Sequence, residues 1–185
     1  MKSMQARVAG SFLGIALAMG PCTSRAAGTT LIDNASDPDC ATITFPEYLV
    51  RAPGKWTIVV VDQKSLRFRS LDGSQSMQAG VVDLHPKLKQ SEEDAFRSYV
   101  ENRRLQEHDN IDNKALKADA IDYASNEHGK IASWCIIDPA GASAHLTAIL
   151  EDKRKLLVVS YDADKVTEAD FRAHAALITS SMTIR

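Results

Sequence analysis

The chain has 185 residues, of which 44% are hydrophobic and 25% charged, and its formal net charge is −2. This length and composition suit a single domain with a hydrophobic core. The slight acidic excess argues against binding to nucleic-acid phosphates, because the one short basic run, EDKRK at 151–155, begins with two acidic residues.

The most apolar stretch lies at the start of the chain, in residues 8–20 (VAGSFLGIALAMG). It is shorter than the roughly 20 residues that a transmembrane helix needs. Basic residues precede it and small residues follow it, which is typical of a signal peptide cleaved after Ala26. We therefore predict a signal peptide over 1–26, a polar N-terminal arm over 27–40 and a single domain over 41–185. The protein is expected to be periplasmic or secreted, with no transmembrane segment after processing.

A lipoprotein anchored through Cys22 is an alternative explanation of the leader. Pro21 directly precedes that cysteine and is a poor match to a lipidation signal, so lipidation fits less well than plain cleavage. Cleavage after Ala26 would leave 159 residues with 19 basic and 24 acidic side chains, a formal net charge of −5.

Cleavage would also remove Cys22 and leave two cysteines, Cys40 and Cys135. In an oxidising compartment, an even pair of cysteines usually forms a disulfide. The closed loop would span most of the domain, and its loss of chain entropy would stabilise the fold by about 4–5 kcal/mol. The alternatives are two inert buried thiols or one reactive thiol. Because neither cysteine belongs to a Cys-x-x-Cys pair, thioredoxin-like chemistry is not expected.

Strand patterns dominate the first half of the domain. Alternating or β-branched runs, separated by turn residues, predict strands over 41–45, 55–62, 65–72 and 76–85. In the third of these runs, Leu66 and Phe68 alternate with Arg67 and Arg69, so the two arginines are expected on the solvent-exposed face.

A helix is predicted over 91–107, where Ser91 and Asp94 have the spacing of a capping box. A second helix is predicted after Thr167, which is spaced from Asp170 as an N-cap pair. Strands are predicted between the helices, over 115–125, 130–138, 142–151 and 154–161. Only Asp152 and Lys153 separate the last two, which predicts a tight hairpin. The order favours an α+β fold, with a mostly antiparallel sheet of about six to seven strands covered by two main helices.

No catalytic motif is present in the sequence. Ser143 and His145 would share one face of a strand, but an ordinary strand explains them better than a nucleophile and its base. Asp162 and Asp164 are assigned to a loop before the last helix, without the glycine and glutamate of a calcium loop. The sequence therefore predicts no catalytic residue, no metal site and no cofactor, and an enzyme is not expected.

Three segments carry a resemblance to a known group of proteins. FPEYLVRAPGKWTIVVVD (45–62), the helix at 91–107 and LLVVSYDADKVTEADFRAHAALITSSMTI (156–184) resemble the PsbP/Mog1/DcrB-like group of α/β/α sandwiches. The resemblance implies a non-catalytic protein that binds other proteins, assists assembly or acts as an accessory subunit, with no catalytic residues to transfer. A Cys40–Cys135 bridge is not a general feature of the group.

Two classes of function follow from these observations. The first is an exported protein-binding module, either an immunity-type inhibitor of a secreted toxin or an assembly or accessory factor. Its partner could be a basic periplasmic or secreted enzyme, because the mature chain is acidic. The alternative is a small-ligand carrier or a small hydrolase with a pocket between sheet and helix. Residues expected to contact a partner are Glu47 and Tyr48 in a loop, and Arg67 and Arg69 on a strand.

Overall fold

The structure, a computed structural model, describes residues 30–62, 65–86, 89–109 and 116–185. The predicted signal peptide and Cys22 lie outside the described residues. Within this part of the chain, no helix is both long and apolar enough to span a membrane.

The described residues form twelve strands and two helices. The first six strands are β1 (Leu31–Asp33), β2 (Cys40–Phe45), β3 (Tyr48–Pro53), β4 (Trp56–Asp62), β5 (Ser65–Ser70) and β6 (Gln75–Asp83). They are followed by α1 (Glu92–Asp109), β7 (Lys117–Ala118), β8 (Asp122–Asn126), β9 (Gly129–Ile137), β10 (Ser143–Asp152), β11 (Lys155–Asp164), α2 (Glu168–Ser181) and β12 (Thr183–Ile184).

The strands form two antiparallel sheets. The larger sheet has eight strands in the order β4-β5-β6-β11-β10-β9-β7, with β8 also paired to β9. The smaller sheet has the order β1-β2-β3-β12. The α+β class with a mostly antiparallel sheet and two helices is confirmed. The structure has two sheets where one sheet of six to seven strands was expected. The second sheet forms because residues 48–53 and 183–184 also pair as strands.

The larger sheet separates two hydrophobic layers. Its inner face packs against the smaller sheet and α2, with a core that includes Trp56, Phe68, Tyr161, Phe171 and Ile178. Its outer face packs against α1, through Ala95, Phe96 and Val100 on the helix and Ala132, Trp134, Ile136, Ile149, Leu156 and Val158 on the sheet. These sheet residues lie on β9, β10 and β11, so α1 covers only part of the outer face.

Both predicted helix starts are confirmed by their caps. The Ser91 hydroxyl accepts a hydrogen bond from the Asp94 amide at 3.0 Å and donates one to the Asp94 carboxylate at 2.6 Å. Thr167 and Asp170 repeat this arrangement at 3.1 and 2.7 Å. Each pair satisfies a backbone N–H that would otherwise lack a partner in the first turn.

The predicted N-terminal arm contains a short strand. Residues 31–33 form β1, which pairs with β2, and the side chain of Asn34 makes two hydrogen bonds to the backbone of Trp56. The amide of Trp56 donates to the Asn34 side chain at 2.8 Å, and the Asn34 side chain donates to the carbonyl of Trp56 at 2.9 Å. The described part of the arm is therefore attached to both sheets.

The expected Cys40–Cys135 disulfide is absent from the structure, where both thiols are free and buried. Cys40 lies in the smaller sheet, where it donates to Asp37 at 2.9 Å and accepts from Arg51 at 2.7 Å. Cys135 lies in the larger sheet, and burial raises the pKa of its thiol to about 11. Burial, together with the hydrogen bond to Asp37, also raises the pKa of Cys40. These are the properties of the inert buried thiols that the sequence left open.

Candidate functional site: the outer face of the larger sheet

Two adjacent rows of mostly polar side chains cross the outer face of the larger sheet. Residues directly opposite each other on antiparallel strands point to the same face, so the register defines the rows. The first row runs across β5, β6, β11, β10 and β9 through Arg69, Ser76, Asp162, His145 and Ile136. The second row crosses the same strands through Arg67, Gln78, Ser160, Thr147 and Trp134.

One end of these rows is open to solvent. The exposed side chains here are Thr57 and Val59 on β4, Arg67 and Arg69 on β5, and Ser76 on β6. We call this group the docking half. Val59 lies where the β4–β5 register shifts, and it is 53% exposed although it is a large apolar residue. The docking half therefore combines two cations with an exposed apolar side chain at the β4 edge of the larger sheet.

The other end of the rows lies beneath the C-terminal half of α1. Glu107 is only 7% exposed, and its carboxylate accepts from three side chains. Arg103 donates through Nε at 2.7 Å, Trp134 through Nε1 at 2.9 Å, and the Thr147 hydroxyl lies 2.9 and 3.0 Å from the two carboxylate oxygens. A buried carboxylate is tolerated because each of these donors compensates for its lost hydration.

His145 connects this buried carboxylate to the open part of the face. Its Nε2 lies 2.9 Å from the Thr147 hydroxyl, and its Nδ1 lies 2.7 Å from the Asp162 carboxylate. Asp162 also accepts from the Ser76 hydroxyl at 3.4 Å. A continuous polar chain thus runs from Arg103 and Glu107 on α1 to the edge of the docking half.

The pKa of His145 is raised above its ordinary value. Burial is the largest single influence and acts against the charged form. The hydrogen bond to Asp162 and the negative charges of Asp162 and Glu107 together outweigh both burial and the nearby charge of Arg103. The imidazolium form is therefore stabilised within the folded protein.

The structure separates the four residues that were expected to contact a partner. Arg67 and Arg69 are exposed on the outer face, where the alternation of β5 placed them. Tyr48 is instead 1% exposed, which corrects the expectation that it lies in an open loop. It begins β3, and its hydroxyl points to the carbonyl of Ala79 at 3.5 Å. Glu47 is half-buried in the turn between β2 and β3 of the smaller sheet, whereas Arg67 and Arg69 lie on β5 of the larger sheet.

Sequence reasoning missed three residues of the polar chain, namely Glu107, Thr147 and Asp162. The sequence predicts Glu107 as the last residue of the first helix and Asp162 in a loop, and neither position indicates a buried network. The available signal was the two-residue period of β10, which puts His145 and Thr147 on one face together with Ser143. The ring of His145 bonds to Asp162 and Thr147, and no bond between it and Ser143 is found among the described residues.

A separate cleft of about 590 Å³ lies where the β5–β6 turn meets the end of β11 and the start of α2. Its lining includes Asp72, Asp164, Asp170, Lys165 and His174. Burial lowers the pKa of His174, whose Nδ1 lies 2.8 Å from the Tyr161 hydroxyl. Charged and polar groups line this cleft together with Ala163 and Val166, so it is the part of the described structure that the small-ligand alternative would use.

Comparisons with known proteins support the fold. No model of a known protein family matches the chain, and no curated protein matches its sequence. The solution structure of cyanobacterial PsbP (CyanoP) from Synechocystis matches with a TM-score of 0.56 and 12% identity, over 90% of this chain and 99% of that one. A structure of a Mog1 mutant matches with a TM-score of 0.38 and 11% identity, over 83% of this chain and 87% of that one. The chain has a PsbP-like fold, as the sequence resemblance implied.

Proposed function

We propose that this chain is an exported, non-catalytic protein-binding module and that the docking half is its binding surface. The observation that carries the proposal is the partial coverage of the outer face. The hydrophobic cluster beneath α1 includes residues of β9, β10 and β11 and Val82 of β6, whereas Val59 on β4 and Arg67 and Arg69 on β5 remain exposed. The backbones of β4 and β5 are already paired within the sheet, so binding does not have to order them.

The exposed groups indicate the chemistry of the partner surface. Arg67 and Arg69 are two positions apart on one strand, so their backbones are about 7 Å apart on the same face. Guanidinium groups bind carboxylates through paired hydrogen bonds, and Val59 offers an apolar contact beside them. The proposed partner therefore presents Asp or Glu side chains next to an apolar group.

The net charge of the partner and the charge of its contact surface are expected to differ in sign. The mature chain has an expected net charge of −5, which would attract a basic protein at a distance. The docking half is locally basic and requires an acidic patch on that protein. A basic toxin with such a patch would make the chain an immunity-type inhibitor, and an assembly partner would make it an accessory factor.

Charge reversal at the docking half tests the proposal. We expect the mature protein to capture a stoichiometric partner from periplasmic extract, and Arg67→Glu with Arg69→Glu to weaken that complex at least tenfold, about 1.4 kcal/mol. Lys117→Glu with Lys153→Glu is the matched control, because it reverses two exposed charges elsewhere. Isothermal titration with the identified partner measures both variants.

Two outcomes would contradict the proposal that the docking half is the binding surface. Equal loss in the two double variants would mean that net charge, rather than this surface, governs binding. A co-purified small molecule without any protein partner would favour the ligand-carrier alternative instead.

Export is tested by the terminus of the processed protein. When the full chain is expressed with its own leader, we expect the periplasmic product to begin at Ala27. Intact mass spectrometry measures this directly. A product that begins at a lipid-modified Cys22 would establish the lipoprotein alternative, and a full-length product would overturn export by cleavage.

A further inference from the structure

The hydrogen-bond donors and acceptors of the polar chain determine the protonation state of His145. Glu107 is ion-paired with Arg103 and, as a carboxylate, can only accept hydrogen bonds. The single hydroxyl proton of Thr147 is directed to Glu107, so the Thr147 oxygen must accept from His145 Nε2. Asp162 accepts from His145 Nδ1 for the same reason. Both ring nitrogens therefore carry a proton, which is the imidazolium form.

The two halves of α1 contact the larger sheet through different kinds of side chain. Its buried apolar residues, Ala95, Phe96 and Val100, all lie in its first half. In its second half, Leu105 is 61% exposed, and the described contacts with the sheet are polar. They are the hydrogen bonds of Arg103 and Glu107 and the guanidinium of Arg104, which lies 5.9 Å from the centre of the Trp134 ring. Arg104 also donates at 2.7 Å to the carbonyl of Asp119, in the connection between β7 and β8.

We propose that Asp162, His145, Thr147, Glu107 and Arg103 form a pH-sensitive clasp that fastens the C-terminal half of α1 to the larger sheet. The clasp contains two carboxylates, one guanidinium and one imidazolium, so its charges balance. Loss of the imidazolium proton removes one hydrogen bond of the chain and leaves one negative charge uncompensated at a largely buried site.

The groups around His145 come from every neighbouring element. Helix α1 contributes Glu107 and Arg103, with Tyr99 close enough to feel both charges. Strand β11 contributes Asp162 and Ser160, β6 contributes Ser76, and β9 contributes the indole N–H of Trp134. Among these described groups, the two carboxylates and Arg103 carry charge, and the carboxylates dominate because one of them bonds directly to the ring.

The direction of the pH effect follows from the raised pKa of His145. The clasp is fully closed below the pKa of an unfolded histidine, about 6.5. It weakens as pH rises through the higher pKa of the folded state. Between those two values, the equilibrium for opening the end of α1 should increase up to tenfold per pH unit. This device does not depend on whether the docking half binds a protein.

Nitrogen-detected NMR of the imidazole rings tests the charge state in the intact protein. We expect both ring nitrogens of His145 to show imidazolium shifts at pH 6.5 and to titrate above that value. The Asp162→Asn variant should move this titration toward lower pH. Titration of His145 at or below about pH 6.5, the ordinary value for a histidine, would overturn the proposal.

Hydrogen exchange tests whether the clasp holds the C-terminal half of α1 against the larger sheet. After correction for intrinsic pH dependence, amides of the second half of α1 should lose protection several-fold from pH 6 to pH 8, whereas α2 should not. His145→Gln and Thr147→Val should each abolish this difference, and His85→Gln should retain it. If the wild type and both clasp variants show the same pH dependence, the clasp does not exist.

Discussion

Replacement of Glu107 by alanine is expected to destabilise the protein by about 3–5 kcal/mol, although the residue lies near the end of a surface helix. The carboxylate accepts from Arg103, Trp134 and Thr147, and all three donors lose their partner at once. Trp134 and Thr147 are themselves buried, so water cannot replace the lost bonds without opening the helix–sheet contact. Denaturation by urea, monitored by tryptophan fluorescence, measures the change.

The matched control for this variant is Glu93→Ala on the same helix. Glu93 also accepts from two cations, Arg97 and Lys130, but all three side chains are substantially exposed. Its removal is therefore expected to cost much less stability than the removal of Glu107, because solvent screens exposed ion pairs. A loss at Glu107 no larger than the loss at Glu93 would show that the buried network contributes little to stability.

The elements of the fold were largely predictable because local signals agreed with the final packing. The period-two alternation of 65–70 placed Phe68 inside and Arg67 outside, and both helices begin at the predicted caps. The second sheet was missed because Pro46 was taken to end the first strand and the residues after it were assigned to a loop. Yet Tyr48, Val50 and Ala52 also alternate, and all three are buried.

The polar chain was not predictable because its central contact depends on a turn position. The sequence indicated a hairpin with Asp152 and Lys153 in the turn, which would place His145 opposite Ser160. In the structure, the turn residues are Lys153 and Arg154, with φ values of 49° and 66°. Because strands run in opposite directions, this one-residue shift changes the partner by two positions and places His145 opposite Asp162.

Glu107 illustrates a different limit of sequence reasoning. A glutamate in the last turns of a helix normally lies in solvent, because buried carboxylates are rare. Its burial depends on Trp134 and Thr147, which lie 27 and 40 positions later in the chain. Only the pairing of β9 with β10 brings those two donors side by side beneath the helix.

At Gly129, the backbone of β9 lies close to the backbone of β10. Gly129 begins β9 after the tight turn that follows β8, and its φ is +141°, a value that residues with a side chain rarely adopt. A Cβ atom at this position would overlap the backbone oxygen of Glu151 and lie 3.3 Å from a methyl carbon of Leu150. The Leu150 methyl can shift slightly, but the Glu151 oxygen is backbone of β10 and cannot move away without disturbing the pairing of β9 with β10.

The Gly129→Ala variant is therefore expected to destabilise the protein by about 2–6 kcal/mol, the sum of backbone strain and overpacking against a neighbouring strand. Gly54→Ala is the matched control, because Gly54 also has a positive φ, +77°, but a Cβ atom there would meet no atom within 4 Å beyond its chain neighbours. That variant should lose only about 1–2 kcal/mol, through strain alone. Urea denaturation of both variants separates the two costs. Equal losses would mean that the close approach of β9 to β10 relaxes freely, and that strain explains the requirement for glycine at both positions.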